Sequence, residues 1–182
     1  MTFATVEGIT AIRSDPRAFF AAFARRITSG LFPGAPRHRA RYTVTREGPD
    51  GLQFRAANWW TAINVGLNDV ELKATADGPV HYTVRYPRWA IYVLALSDVV
   101  GVLLIGFLVL FDVRGYLARH PSSTVPGLSL DENVALAWAM AFFWGFVWPW
   151  IVIALHRAPL RRLIKKLIAE VDAEAAGGAR GA

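Results

Sequence analysis

Residues 89–111 read WAIYVLALSDVVGVLLIGFLVLF, and residues 134–155 read VALAWAMAFFWGFVWPWIVIAL. These runs of 23 and 22 residues span roughly 33–35 Å as helices, enough for a hydrocarbon core of about 30 Å. An ordinary amphipathic core helix keeps a polar face. Here Asp98 is the single charged residue in the two runs. A soluble chain of 182 residues has too little other mass to wrap two such helices on all sides. The reading is therefore a membrane protein with a helical hairpin.

Working outward, the charges sort by side. Residues 1–88 carry twelve Arg/Lys against seven Asp/Glu, and HRAPLRRLIKK, which follows the second run, carries five more basic residues. The connection 112–133 holds only Arg114 and Arg119. Arg and Lys favour the side of synthesis, so both termini are expected in the cytoplasm and the connection in the periplasm of a bacterial inner membrane. MTFATVEGITAIRSD at the start has neither a basic n-region nor an apolar h-region, so no secretory signal is expected. The chain has no Cys, which excludes disulfides, thiolate catalysis and Cys-ligated metals.

Residues 1–88 read as a small α+β domain. Phe3–Ile12 is rich in Thr, Val and Ile and predicts a strand. Ser14-Asp15-Pro16 starts a helix, with Phe20, Phe23, Ala24, Ile27 and Leu31 at helical spacing and an end near Ser29-Gly30. Alternation then predicts four or five strands: Arg39–Arg46, a turn at residues 47–51, Leu52–Ala56, Thr61–Ala74 and Val80–Tyr86. The apolar parity switches within Thr61–Ala74, which predicts a hairpin at Asn68-Asp69, with a bulge as the alternative. The fold class is thus β-α followed by an antiparallel meander, with the helix on one sheet face.

The expected organisation is a cytoplasmic α+β domain 1–88, transmembrane helices 89–111 and 134–156 around a periplasmic loop 112–133, a cytoplasmic amphipathic helix 157–174, and a flexible tail 175–182. In the amphipathic helix Leu160, Leu163, Ile164, Leu167, Ile168 and Val171 form one stripe. Arg161, Arg162, Lys165 and Lys166, with Arg157 just before them, are candidate contacts to lipid head groups or a partner. Packing of the stripe on the N-terminal sheet is the competing reading.

Catalytic patterns are missing. The four histidines, His38, His81, His120 and His156, stand apart in sequence, and no HExxH, phosphate loop or GxSxG occurs. Arg37, Arg39, Arg41, Arg46 and Arg55 with Trp59 and Trp60 have the composition of a nucleic-acid surface, but beside a membrane they read as facing head groups or an acidic partner; no nucleic acid is expected. No enzyme activity, metal or cofactor is expected.

The candidate contact residues lie in the hairpin. Ser97 and Gly101 are four apart, as are Ala137, Ala141 and Gly145, the spacing at which helices approach closely. Asp98 lies mid-span, where an Asp costs about 3 kcal/mol on the insertion scale, and is expected to bond an indole of Trp144 or Trp148 or a partner's polar group. Four of the seven Trp lie in the second run, more than an interfacial belt needs. The expected function is a non-enzymatic accessory or assembly subunit of a larger inner-membrane complex, respiratory or photosynthetic complexes being natural hosts, with membrane lipids and other integral subunits as partners. The alternative is a tethered module holding an apolar ligand between sheet and helix, in a cavity lined by Phe20, Phe23, Tyr42, Phe54 and Tyr82.

Overall fold

A computed structural model describes residues 4–32, 41–75 and 78–178. Phe3, the loop residues Pro33, Gly34 and Pro36, Arg37 to Arg39, Asp77 and residues 179–182 lie outside the described residues. The fold is α+β. Five strands, β1 (Thr5–Thr10), β2 (Tyr42–Gly48), β3 (Gly51–Ala56), β4 (Asp69–Ala74) and β5 (Val80–Arg85), form one antiparallel sheet in the order β1-β5-β4-β3-β2. Strands β2 to β5 are the expected meander, and β1 closes on β5 with Thr5 opposite Arg85 and Thr10 opposite Val80. A register shift lies in β2 between Val44 and Arg46.

The chain divides into two compact units, Met1–Ala90 with Leu155–Ala182, and Ile91–Ala154. In the first unit the side-chain alternation of the strands gives one apolar sheet face. Val6, Leu52, Phe54, Val70, Leu72, Val80, Tyr82 and Val84 are all buried on it. Helix α1 (Pro16–Ser29) starts where the sequence requires: the Asp15 carboxylate accepts from Ala18 N at 3.1 Å, and Pro16 opens the first turn. Its Phe19, Phe20, Phe23 and Ile27 are buried, and the Phe23 ring lies 5.7 Å from Phe54.

Thr61–Ala74 differs from the strand pair expected. Residues Trp59–Val65 form a short helix, α2. Asn58 caps it by accepting from Thr61 N at 2.8 Å, and Gly66 ends it in the left-handed conformation, φ 78°. A side-chain cap plus a glycine stop satisfies the helix ends, and this outweighs the β-branched composition. The parity switch comes from α2, not from a turn or bulge at Asn68-Asp69; Asn68 is wholly buried and Asp69 opens β4.

Helix α3 (Pro87–Leu110) contains all but the last residue of the first apolar run. Within the connection 112–133 the chain is structured: α4 (Val113–Arg119) is capped by Asp112, and a 3-10 turn follows at Pro121–Ser123. Ser129 and Glu132 form a reciprocal capping box that opens α5 (Leu130–Phe142). One π-helical turn, Phe143–Val147, joins α5 to α6 (Trp148–Gly178), so the helix runs through Leu130–Gly177 without a break.

The boundary expected between a second span and a separate amphipathic helix therefore does not exist, and helix replaces the expected tail as far as Gly178. Pro159 sits inside α6, where a proline costs about 3 kcal/mol. The stripe beyond it offsets this loss. Leu160, Ile164, Leu167, Ile168 and Val171 are each at most 3% exposed, and burying one such side chain is worth about 1.5–3 kcal/mol. Polar clamps join α6 to the residues just before α1 and to its last turn. Both Asp172 oxygens accept from Arg13 N at 3.0 Å, and one also accepts from Ser14 N at 2.9 Å and Ser14 Oγ at 2.6 Å. Arg26 reaches Glu170 at 3.5 Å and Glu174 at 2.6 Å.

Candidate functional site

The second unit is a helical hairpin whose seam is set by residue size. On the returning helix the fully buried positions between 133 and 153 are Asn133, Ala141, Gly145, Pro149 and Ile153, and with half-buried Ala137 they recur every fourth residue. A spacing of four drifts around a helix of 3.6 residues per turn. The wider π-helical turn at Phe143–Val147 absorbs that drift at the seam's centre. Pro149 follows it, where no N–H exists to bond the Gly145 carbonyl. On α3 the matching face carries Ser97, half-buried, and Gly101, buried.

Gly101 and Gly145 meet. A Cβ on Gly101 would lie 2.7 Å from the Gly145 Cα, and one on Gly145 would lie 2.5 Å from the Gly101 Cα. Real Cβ contacts do not come under 3.0 Å, so only glycine permits this backbone approach. The two small-residue stripes singled out from the sequence meet at this pair of glycines. At the far end of the seam Asn133 holds the loop: it accepts from Val125 N at 2.7 Å and donates to Leu128 O and Ser129 O.

Away from the seam the hairpin surface is apolar and open. Val102, Leu103, Phe107, Val109 and Leu110 on α3 are each more than half exposed. Only 6% of the most apolar stretch of α3, and 22% of that in the second helix, is buried. A soluble core helix would be mostly buried; contiguous apolar surface of this extent marks a lipid or protein contact. Both helices are long and apolar enough to cross a membrane.

Asp98 is not where an intramolecular bond requires it. It is exposed, and among the described residues it has no hydrogen bond or ion pair. The reason is angular: one residue beyond Ser97 is about 100° around the helix, so Asp98 turns off the seam. Trp144 and Trp148 stack edge to face on each other at 4.9 Å, with Trp144 42% exposed. The expected Asp98–indole bond is absent.

A second constellation, unmarked in the sequence, lies in the first unit where α3 begins. Asn68, between α2 and β4, accepts from Arg88 N at 2.6 Å and Trp89 N at 3.3 Å, and donates to Ala62 O at 2.9 Å. It therefore caps α3 from a distant segment and ties α2 beside it. The ring of His156, from α6, stacks on Trp89 at 3.8 Å and meets Tyr86 edge-on at 5.5 Å. His156 Nε2 lies over Gly66, where any Cβ would collide with it. Asn-Asp resembles a turn signal, and this hid Asn68; the Asn58-to-Gly66 pair of caps was the available clue.

The basic candidates Arg157, Arg161, Arg162, Lys165 and Lys166 are all exposed. The apolar stripe of their helix is buried within the first unit, at Leu160, Ile164, Leu167, Ile168 and Val171. Burial raises the Asp172 pKa, but the bonds from Ser14 and Arg13 outweigh it and hold the carboxyl below the usual Asp range.

The proposed ligand cavity between sheet and helix is filled. Phe20, Phe23, Phe54 and Tyr82 are at most 1% exposed and Tyr42 is 7% exposed, with Tyr42 and Phe54 edge to face at 5.8 Å. A cleft of about 730 Å³ lies instead in the second unit, lined by Phe107, Phe111, Tyr116, Arg119 and Leu136 among others. Among the described residues no group of three or more His, Cys, Asp or Glu side chains is placed to hold a metal ion. Comparison with known proteins finds no matching family model, no matching curated protein and no matching solved structure.

Proposed function

We propose that this chain is a two-span protein of the bacterial inner membrane that serves as a non-enzymatic accessory or assembly subunit of a larger membrane complex. The Arg/Lys asymmetry of the sequence supports cytoplasmic termini, with the sheet domain on the same side. The observation that carries the subunit reading is Asp98. An outward-facing carboxyl halfway along an apolar helix is expensive in lipid, and no group among the described residues is bonded to it. A helix from another subunit that offers a donor removes that cost. The aromatic surface of the second helix, with Trp138, Phe142 and Trp144 about two-fifths exposed or more, provides further area for the same contact. The filled core between sheet and α1 weighs against the ligand-holding alternative.

The test is native-gel migration of the membrane-extracted protein in mild detergent, with Asp98→Asn and Asp98→Leu beside the parent. The parent is expected in a band larger than its own oligomers, with Asp98→Asn comigrating and Asp98→Leu released from it. A parent that migrates alone, or a leucine variant that stays in the complex, overturns the reading. Comigration only with further copies of the same chain replaces the accessory subunit by a homo-oligomer.

A further inference from the structure

The sheet register gives the domain two unlike ends. Tyr42, Ala56, Asp69, Arg85 and Thr5 lie at one end, and Gly48, Gly51, Ala74, Val80 and Thr10 at the other. Helix α3 leaves from the first end, two residues after Arg85. Helix α2 is fastened at that end too. Its Thr61 hydroxyl accepts from Arg41 N at 3.2 Å, and Asn68 ties its Ala62 carbonyl to the first turn of α3. The inner face of α2, Thr61 and Ala62, is wholly buried, while its outer face presents Trp59 at 47% and Trp60 at 70% exposure. Four arginines, Arg41, Arg55, Arg85 and Arg88, belong to the same end, against Asp69 opposite Arg55 and Arg85 and Glu71 beside Arg85.

Two adjacent, exposed indoles are unusual on a water-facing surface. Tryptophan is enriched where apolar and wet layers meet, because its ring is apolar and its N–H needs a partner. Arginines beside it complement anionic head groups. We infer that α2 is a membrane-surface anchor: Trp59 and Trp60 seat in the head-group layer of the bilayer that α3 enters, and the arginines at that end of the sheet attract its anionic lipids. This inference rests on the membrane reading above. It assigns to α2 the task of holding the sheet domain against the membrane.

The chain has no Cys, so single cysteines can be spin-labelled cleanly. Asn64, exposed and one turn beyond Trp60, reports on α2 while leaving both indoles in place. Val102→Cys reports on the exposed face of the hairpin and Glu47→Cys on the far end of the sheet. The full-length protein is reconstituted in phosphatidylglycerol/phosphatidylcholine vesicles, and collision of each label with oxygen and with a water-soluble nickel chelate is measured. The expected order of nickel accessibility is Glu47 highest, Asn64 reduced several-fold, Val102 lowest. Replacing Trp59 and Trp60 with Ser should return the Asn64 label to the Glu47 value while leaving Val102 unchanged.

If Val102 is lipid-embedded but Asn64 is as open to nickel as Glu47, the anchor is overturned and the membrane reading stands. The anchor is equally overturned if Asn64 is shielded only in the detergent-extracted complex, because a protein then covers α2. If Val102 itself is open to nickel, the membrane reading fails and the anchor fails with it.

Discussion

Gly145→Ala tests the hairpin seam with a single methyl group. The added Cβ starts 2.5 Å from the Gly101 Cα, whereas ordinary contact begins at 3.4 Å. The obstacle is backbone, so no side-chain rotation relieves it and the helices must part by roughly 1 Å, a gap that forfeits a quarter to a half of the dispersion well for the atoms lining it. Ser97, Ala137 and Ala141 lie along that seam. Overpacking of this kind costs about 1–3 kcal/mol. Taking about 2 kcal/mol, the hairpin equilibrium should fall by roughly thirtyfold, at 1.36 kcal/mol per factor of ten. Gly145→Leu should cost more. The assay is reversible unfolding of the full-length protein in mixed detergent–dodecyl sulfate micelles. A pair of spin labels at Val102→Cys and Phe142→Cys, both on exposed faces, reports helix separation in lipid nanodiscs. An unfolding midpoint and a label distance both unchanged in the alanine variant would refute the close-contact argument, since they require Gly145 to face open space.

Two further outcomes concern the first unit. The Asp172 carboxyl is held below its ordinary range by Ser14 and Arg13. It therefore contributes stability that is complete above the unfolded Asp pKa of about 3.9 and is lost as the pH falls through the lower folded value. Thermal unfolding scanned from neutral to acid should show this loss, and Asp172→Asn should be about 2 kcal/mol less stable at neutral pH with the acid slope flattened; an unchanged slope would show that Asp172 does not set the acid response. Asn68→Ala leaves Arg88 N and Trp89 N without their bonds, while Ala62 O keeps the one from Gly66 N, at about 1–3 kcal/mol for each group left unpaired. Hydrogen exchange at Arg88 and Trp89 should speed up markedly, and protection equal to the parent's would show that the cap does not hold α3.

Periodicity and composition decided much in advance. The two apolar runs dictated two long helices because no alternation, and no charge except Asp98, interrupts them. The Asp15-Pro16 start of α1 and the strand faces Leu52-Phe54-Ala56 and Val80-Tyr82-Val84 follow from local chemistry that acts over a few residues. Even the meeting of Gly101 and Gly145 was legible, because a side chain's absence at a spacing of four has one common use between long helices. What the sequence could not decide were competitions between local signals and distant partners. Asn68 reads locally as a turn, yet its side chain is wholly buried among backbone groups of two other segments, which only the folded chain brings together. A separate helix is expected from residue 157, close to Pro159, yet one helix passes through Pro159 because five apolar side chains beyond it find a buried place in the first unit. Asp98 reads as a residue in need of a bond, but which way it turns depends on where the glycine seam fixes the helix about its axis. The fold places the carboxyl outside the hairpin, facing whatever lies next to it.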